Sequence, residues 1–365
     1  MSIDKEVSIA VVGAGGVGSC FLQQLAYISK NHPKVRFHLT YVAIIDKALY
    51  HKDFSDIDID TALSTLEASG RPLPTLDVAV DYLASIPRKV VFVDNTSSQG
   101  IAEAYPEILR RGISIVTPNK KAFSGTYELW QQIFDASLST GALVYHESSV
   151  GAGMPIISTL KEMVETGDKV LRIEGVFSGT MSYLFNSFAP IAGTGGRWSE
   201  EVRRARSLGF TEPDPRDDLN GLDIARKLTI LGRLAGLPIA SATSFSVQNL
   251  IPEELRGTMD TEEFLQKLAD HDDKMELLKT EAEAANKVVR FVGSVEVATG
   301  TASVGLKWYN RSHPIANLQG SDNIISFYTE RYGLKPLIIR GAGAGGHVTA
   351  MGVSGDLLKI VSQIV

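Results

Sequence analysis

In the run LDIARKLTILGRLAG, an aspartate and a lysine, Asp223 and Lys227, stand one helical turn apart. On a solvated face such a pair is an ordinary ion pair worth a few tenths of a kcal/mol. At about 100° per residue, Leu219, Ile224, Leu228, Ile230, Leu231, Leu234 and Ala235 share one arc of the helix. Arg226, Thr229, Gly232 and Arg233 share the other. Asp223 and Lys227 fall inside the apolar arc, with Asn220 beside them. Burying two charges to no purpose costs several kcal/mol per ion. The expectation is therefore a pocket wall, where a ligand meets a carboxylate and an ammonium together. Pro213 and Pro215 keep the approach extended or turned. Asp217 or Asp218 is placed to cap a helix running from Leu219, and Gly236 and Pro238 end it.

A second group of residues suits a dinucleotide. Gly13-Ala14-Gly15-Gly16-Val17-Gly18 satisfies G-x-G-x-x-G directly after an apolar strand and directly before an apolar helix, the context that gives the motif its force. The first glycine permits the tight turn, the second admits a pyrophosphate, and the third lets helix and strand pack closely. The helix start then offers free N–H groups to phosphate. Asp46 closes the next strand, where an acidic residue holds the adenosine ribose, although it lies farther on than the usual ~20 residues. Lys47 follows and is able to reach a 2′-phosphate, so NAD and NADP both stay open. DNTSS (94–98) and TPNKKAF (117–123) follow later strands, at the edge where open α/β sheets bind ligands. Thr96 and Ser97 are hydrogen-bonders for a nicotinamide ribose or amide, and Lys120 stands at the same rim.

These residues need a scaffold. Strands are expected at Val7–Val12, Arg36–Ile45 (ending at Asp46), Lys89–Val93, Ile113–Val116 and Leu143–His146, with a helix at Ile101–Arg111. Strand alternating with helix is the pattern of a Rossmann-type, doubly wound parallel sheet. ESSVGAGMP (147–155) reads as a domain junction. Beyond it, helices at Ile156–Glu165, Thr180–Phe188, Ser199–Leu208, Leu219–Ala235 and Thr261–Glu283 mix with strands at Arg172–Phe177, Lys287–Val297, Ala302–Tyr309 and Asn323–Tyr328. This suggests an α+β domain. HDDKMELLKTEAE (271–283) reads as a solvated helix face. The glycine cluster RGAGAGGHVTAMG precedes a last helix expected to return to the first domain. The domains are thus 1–150 for nucleotide binding, 151–340 for dimerisation and catalysis, and 341–365 for the returning segment.

With 365 residues, 21% charged and 44% apolar, the chain is an ordinary globular protein of two or three domains. A net charge of −6 without basic runs gives no reason to expect nucleic acid. One cysteine, Cys20, excludes an internal disulfide and a cysteine-based zinc cluster. Within the first helix it reads as packing. His146 and His347 lack metal-ligand spacing and receive no role. The N-terminus does not resemble a signal peptide, and no apolar run is long enough for a membrane span. A cytoplasmic location is expected.

At this point the chain resembles the homoserine dehydrogenases, of the short fungal type. VVGAGGVGS, VDNTSS, TPNKKAF, VYHESSVGAGMPII, EGVFSGTMSYLFN, GFTEPDPRDDLNGLDIARKLTI and GAGAGGHVTA carry the likeness, spread from residue 11 to residue 350. The resemblance implies NAD- or NADP-linked interconversion of L-homoserine and L-aspartate 4-semialdehyde, on the way to threonine, methionine and isoleucine. It implies that Glu212 and Asp223 contact substrate, that Lys227 transfers the proton with Lys120 close by, and that Thr180 lines the pocket. Gly209 and Gly345 would lie near the nicotinamide beside the Gly13–Gly18 turn. A monovalent cation, sodium in the family, would be held by Glu147 and the carbonyls of Val150, Ala152 and Met154. A homodimer built through the second domain is implied as well. Many bacterial members carry a C-terminal regulatory domain, for which this chain, ending at Val365, leaves no room.

Homoserine oxidation needs a neutral base for the hydroxyl proton, and a free lysine has a pKa of about 10.4. Alkaline pH should favour that direction unless burial lowers the value. Two other readings remain: a related NAD(P)-linked amino-acid or semialdehyde dehydrogenase, and a dinucleotide-sensing protein without turnover. The Asp223–Lys227 placement argues against the second.

Overall fold

A computed structural model of the chain describes residues 5–257 and 260–365. The first four residues of the N-terminal stretch judged for a signal peptide lie outside this set. The chain divides into two compact units, residues 1–155 with 344–365, and residues 156–343.

Unit 1 is built on a sheet whose strands, among the described residues, are β1 (Lys5–Val12), β2 (Val35–Ala43), β3 (Lys47–Tyr50), β4 (Arg71–Pro72), β5 (Lys89–Asp94), β6 (Ser114–Val116) and β7 (Val144–Tyr145). Their order is β4-β3-β2-β1-β5-β6-β7. The run from β2 to β7 is parallel, while β3 and β4 pair antiparallel at one edge. From β1 the chain builds outward to one side and later returns to β5 on the other. The strand order therefore reverses between β1 and β5, the crevice where such sheets take ligands. Val7, Ile9 and Val11 of β1 are wholly buried and pack with Phe21, Leu22 and Leu25 of the helix Gly16–Asn31. The same core holds Ala350, Val353, Leu357 and Ile360 of the helix Gly346–Ile364, which covers the sheet with it.

The second strand stops earlier than its apolar run suggested, at Ala43. The Ile44 N–H then bonds the Lys47 carbonyl at 2.9 Å, closing a tight turn that reverses the chain into β3. Ile44 tucks against the core, but Ile45 is 94% exposed, so hydrophobicity alone overextended the strand. Asp46 lies in this turn, beyond the strand end. Sequence reading also missed β3, β4 and the helices Ala62–Ser69, Leu76–Ala84 and Tyr127–Thr140.

Unit 2 carries a sheet of β8 (Val170–Val176), β9 (Ser246–Val247), β10 (Lys287–Glu296), β11 (Thr301–Asn310), β12 (Asp322–Thr329) and β13 (Leu337–Ala342), in the order β13-β12-β8-β10-β11-β9. The long pairs β10–β11, β10–β8 and β12–β8 are antiparallel, as expected of an α+β unit. The helix expected from Leu219 is two. A single turn, Arg216–Leu219, stops at Gly221, whose φ of +73° breaks the helical path, and Leu222–Leu234 follows. Its supposed polar arc is also buried, since Thr229, Gly232 and Arg233 are enclosed with the apolar arc. Arg233 is kept there by the carbonyls of Ile239 and Ala240, each at 3.0 Å. The stretch 261–283 is likewise Thr261–Lys267, a 3-10 turn and Asp272–Ala284. The charged run within it is not a purely solvated face. Asp272 is buried and accepts from the backbone N–H and hydroxyl of Ser199, and Lys279 lies 4.5 Å over the Phe188 ring.

Among the described residues no helix is long and apolar enough to cross a membrane. The loop after β1 gives a test of the packing. A Cβ at residue 18 would stand 2.0 Å from the Gly13 carbonyl oxygen, whereas one at residue 15 would meet nothing within 4 Å. Gly18→Ala is expected to cost about 1–3 kcal/mol through forced backbone displacement. Thermal denaturation should show its midpoint lowered and that of Gly15→Ala unchanged.

Candidate functional site

In unit 2, three segments meet around one ammonium. β8 ends at Val176, so the carbonyl of Phe177 is released from the sheet ladder. The next residue, Ser178, caps the helix Gly179–Phe188 by accepting the Met181 N–H. Lys227 Nζ donates to that Phe177 carbonyl at 2.6 Å and lies 2.7 Å from Asp223 Oδ2. The lysine side chain is 9% exposed and its aspartate 41%. The ammonium is thus enclosed while its counter-charge is reachable. Asp223 stands in the first turn of its helix, where the helix dipole favours a negative charge.

Thr180 extends this constellation. Its Oγ1 lies 2.6 Å from the Phe210 carbonyl and 2.8 Å from Asp218 Oδ1. Asp218 Oδ2 in turn accepts the Glu212 backbone N–H at 2.8 Å. Neither aspartate proposed from sequence caps the helix at Leu219. The Arg216 N–H is taken by Asp214 instead, and Asp218 turns inward. Burial pushes the Asp218 carboxyl up from its ordinary value, and the charges of Glu212 and Asp223 push it the same way. One threonine proton cannot serve both oxygens that Thr180 touches. Thr180 donates to one of them at a time, and the upward push on Asp218 favours a carboxyl that can donate in return. Glu212, Asp223, Thr180 and Lys227 thus fall in one neighbourhood, joined by Asp218, which sequence reading passed over as a cap. The signal for it was the doubled acid after two prolines, which a cap does not need.

In unit 1, the Gly13–Gly18 turn is formed by Gly13 at φ +82°. The N–H groups of Gly13 and Ala14 reach the Ala43 carbonyl at 3.0 and 3.2 Å. Gly15 and Gly16 face open space; Gly16 opens the helix and Val17 lies in its first turn. A Cβ on Gly13 would meet Thr96 Cγ2 at 2.6 Å, so the loop after β5 lies against the turn, and Thr96 and exposed Ser97 are gathered there. Asn95, between them and β5, has both side-chain amide atoms buried without a partner and lies beside Gly18. Lys120 starts the short helix Lys121–Ser124 beyond β6, at the same carboxyl edge. Gly345, at φ +121°, precedes the last helix, and the site of a Cβ on the next residue, Gly346, is 3.4 Å from the Gly16 carbonyl. Gly209, at φ +73°, belongs to unit 2. Asp46 is exposed, and the Lys47 ammonium lies 3.3 Å from the Glu67 carbonyl.

The stretch 147–154 also lies in unit 1. Glu147 is buried, with Lys359 Nζ 3.6 Å from its carboxylate, and its backbone N–H donates to Asp356 Oδ2 at 2.7 Å. Lys359 is 3.2 Å from Asp356 as well. Burial raises the Asp356 carboxyl to about 6. Gly151 and Ala152 both have positive φ, and the Met154 N–H bonds the Gly151 carbonyl. Among the described residues no group of three or more His, Cys, Asp or Glu is placed to hold a metal ion.

Comparison with known proteins finds two family models along the chain. The family described as "Homoserine dehydrogenase, NAD binding domain" matches residues 13–147, and "Homoserine dehydrogenase" matches residues 155–358. Homoserine dehydrogenase of Paracoccidioides brasiliensis is 51% identical over 99% of both chains. That of Saccharomyces cerevisiae is 48% identical, also over 99% of both. A crystal structure of a Candida auris protein of unknown function superposes with a TM-score of 0.94 at 45% identity, covering 99% of each chain. A hyperthermophilic archaeal homoserine dehydrogenase in complex with NADPH shares the fold, with a TM-score of 0.75 at 23% identity over 99% of each chain. Fold and relatives together define an NAD(P)-dependent oxidoreductase. More narrowly, the chain belongs to the homoserine dehydrogenase family.

The raised Asp218 carboxyl has a testable consequence. A carboxyl that binds its proton more tightly when folded contributes stability below its unfolded pKa and loses it as pH rises through the folded one. Asp218→Asn retains an acceptor for Glu212 and a donor for Thr180 without that loss. Its melting temperature relative to wild type should therefore climb between pH 4 and pH 8. A pH-independent difference would mean that Asp218 ionises normally.

Proposed function

We propose that the chain catalyses the reversible, NAD(P)-linked interconversion of L-homoserine and L-aspartate 4-semialdehyde, with Lys227 as the proton-transfer residue. The observation that carries this reading is the enclosed Lys227 ammonium, held between Asp223 and the Phe177 carbonyl and linked through the Phe177–Thr180 turn to Asp218 and Glu212. Homoserine is a zwitterion, so its ammonium suits the carboxylates of Glu212 and Asp223, with Thr180 at the pocket wall. When bound, the nicotinamide would supply the hydride acceptor for the carbinol carbon, and in oxidation neutral Lys227 would take the hydroxyl proton. In reduction, its ammonium returns that proton to the forming alkoxide. Lys120, in unit 1, is the competing acid–base residue.

The dinucleotide is assigned to Gly13–Gly18, with Asp46 at the adenosine ribose and with Thr96, Ser97, Lys120 and Gly345; the family resemblance adds Gly209. An exposed Asp46 carboxylate repels a 2′-phosphate, and the Lys47 ammonium is engaged at the Glu67 carbonyl. Both features favour NAD over NADP.

The residues of 147–154 fit a monovalent cation such as sodium. Glu147 and Asp356 against Lys359 leave one negative charge when both acids ionise, which one monovalent ion balances. The carbonyls of Val150, Ala152 and Met154 would complete a ligand set of hard oxygens. When bound, the ion would stiffen the turn that leads out of β7.

A cytoplasmic homodimer joined through unit 2, serving threonine, methionine and isoleucine synthesis, completes the proposal. Support for the dimer comes from the family resemblance. Light scattering should give twice the chain mass.

General acid–base catalysis is worth about 10²–10⁴-fold. Lys227→Ala should lower turnover at least that far while NADH titration shows unchanged binding. Near-normal turnover would remove Lys227 from the role. Homoserine oxidation by the wild type should rise toward alkaline pH, and the variant that loses this limb, Lys227→Ala or Lys120→Ala, identifies the base. Steady-state rates with NAD and NADP in the same series give the cofactor preference.

A further inference from the structure

Unit 1 buries a carboxyl that the chemistry above does not use. Asp94, the last residue of β5, is fully enclosed. Its Oδ1 accepts the Thr96 N–H at 2.8 Å, and its Oδ2 accepts the Asn119 amide at 3.1 Å. Oδ2 also lies 2.6 Å from the Tyr105 hydroxyl. That hydroxyl is 2.9 Å from Thr117 Oγ1, which is 2.8 Å from the backbone carbonyl of Asp94 itself. These are three oxygen–oxygen contacts in a closed circuit, and each needs a proton between its atoms to be a hydrogen bond. Tyr105 and Thr117 supply two, and a backbone carbonyl supplies none. The third has one source, the Asp94 carboxyl. With a proton there, Asp94 donates to Tyr105, Tyr105 to Thr117, and Thr117 to the Asp94 carbonyl.

We propose that Asp94 is a positioning residue, held as a neutral acid in this circuit, that fixes the loops after β5 and β6 for dinucleotide binding. Asn119 ties the two loops together. Besides Asp94 its amide donates to the Ser98 carbonyl at 3.0 Å, and its Oδ1 accepts the Lys121 N–H at 3.1 Å. Thr96 and Lys120 therefore hang from one buried network. Burial pushes the Asp94 carboxyl up, and the groups bonding to it from the adjoining segments, Thr96, Tyr105 and Asn119, carry no positive charge. Tyr105 is also pushed up by burial and keeps its proton. The neutral state has a use at this place. Thr96 lies against Gly13, so a carboxylate at residue 94 would stand near the phosphates that the glycine turn receives. A carboxylic acid organises the same loops with no charge opposing them.

The inference rests on the dinucleotide reading of these loops, and its test separates the two. Infrared difference spectra between wild type and Asp94→Asn at neutral pH should show the loss of a protonated-carboxyl C=O band. Loss of carboxylate bands instead would overturn the proposal. NADH titration adds a second readout. Asp94→Asn, which keeps a donor and an acceptor, should bind NADH within about threefold of wild type, and Asp94→Ala at least about tenfold more weakly. An Asn variant as weak as the Ala variant would overturn the positioning role. If Asp94→Ala fails to fold, the infrared measurement on Asp94→Asn still decides. Wild type that shows the band and binds NADH, yet does not turn over homoserine, would support this proposal and sink the proposed reaction.

Discussion

A lysine ammonium taken out of water must find fixed acceptors, because an unpaired buried charge costs several kcal/mol. Unit 2 is arranged around that constraint at Lys227. The end of β8 frees the Phe177 carbonyl, and the following helix start draws that carbonyl away from the sheet. The left-handed residue Gly221 restarts the next helix so that Asp223 falls in its first turn, one turn before the lysine. Strand end, helix cap and helix restart are three local events. Each would be unremarkable alone, but together they place an acid, a carbonyl and an ammonium within hydrogen-bond reach.

Unit 1 is governed by backbone proximity rather than by charge. The turn after β1 closes so tightly that residue 18 has no space for a Cβ against the Gly13 carbonyl. The same closeness brings Thr96 onto Gly13. The loops that follow β1 and β5 thus depend on each other for their positions, and the buried Asp94 network extends that dependence to the loop after β6. This closeness is what the small residues of the glycine turn permit.

How much of this could be read from the chain depended on the kind of signal. The parallel sheet was legible because its central strands are apolar runs that end in polar loops. The glycine turn was legible because its spacing has a backbone meaning. Edge strands were not. Lys47–Tyr50 and Arg71–Pro72 are short, and their pairing is decided by a turn at 44–46 that hydrophobicity concealed. Asp223 and Lys227 stood out because they broke an apolar arc, although that arc proved to be nearly the whole helix. Asp218 was marked only by the doubled acid after two prolines, and Asp94 and Asn119 gave no such warning. Their roles lie in contacts between residues far apart in the chain, and in sequence each is one more polar residue in a loop.

Three acids of the two sites, Asp223, Asp94 and Asp218, differ in the company they keep. Asp223 has an ammonium at 2.7 Å and can hold its charge there. Asp94 faces hydroxyl and amide groups, Asp218 faces a threonine and a backbone N–H beside two other carboxylates, and burial pushes both upward. An acid without a cation nearby escapes the penalty of burial by keeping its proton, and it then serves as donor and acceptor at once. A dehydrogenase that handles a zwitterion and a polyanionic dinucleotide benefits from this division. Its charges are confined to the residues that meet a charged ligand or a moving proton, while neutral acids carry the positioning.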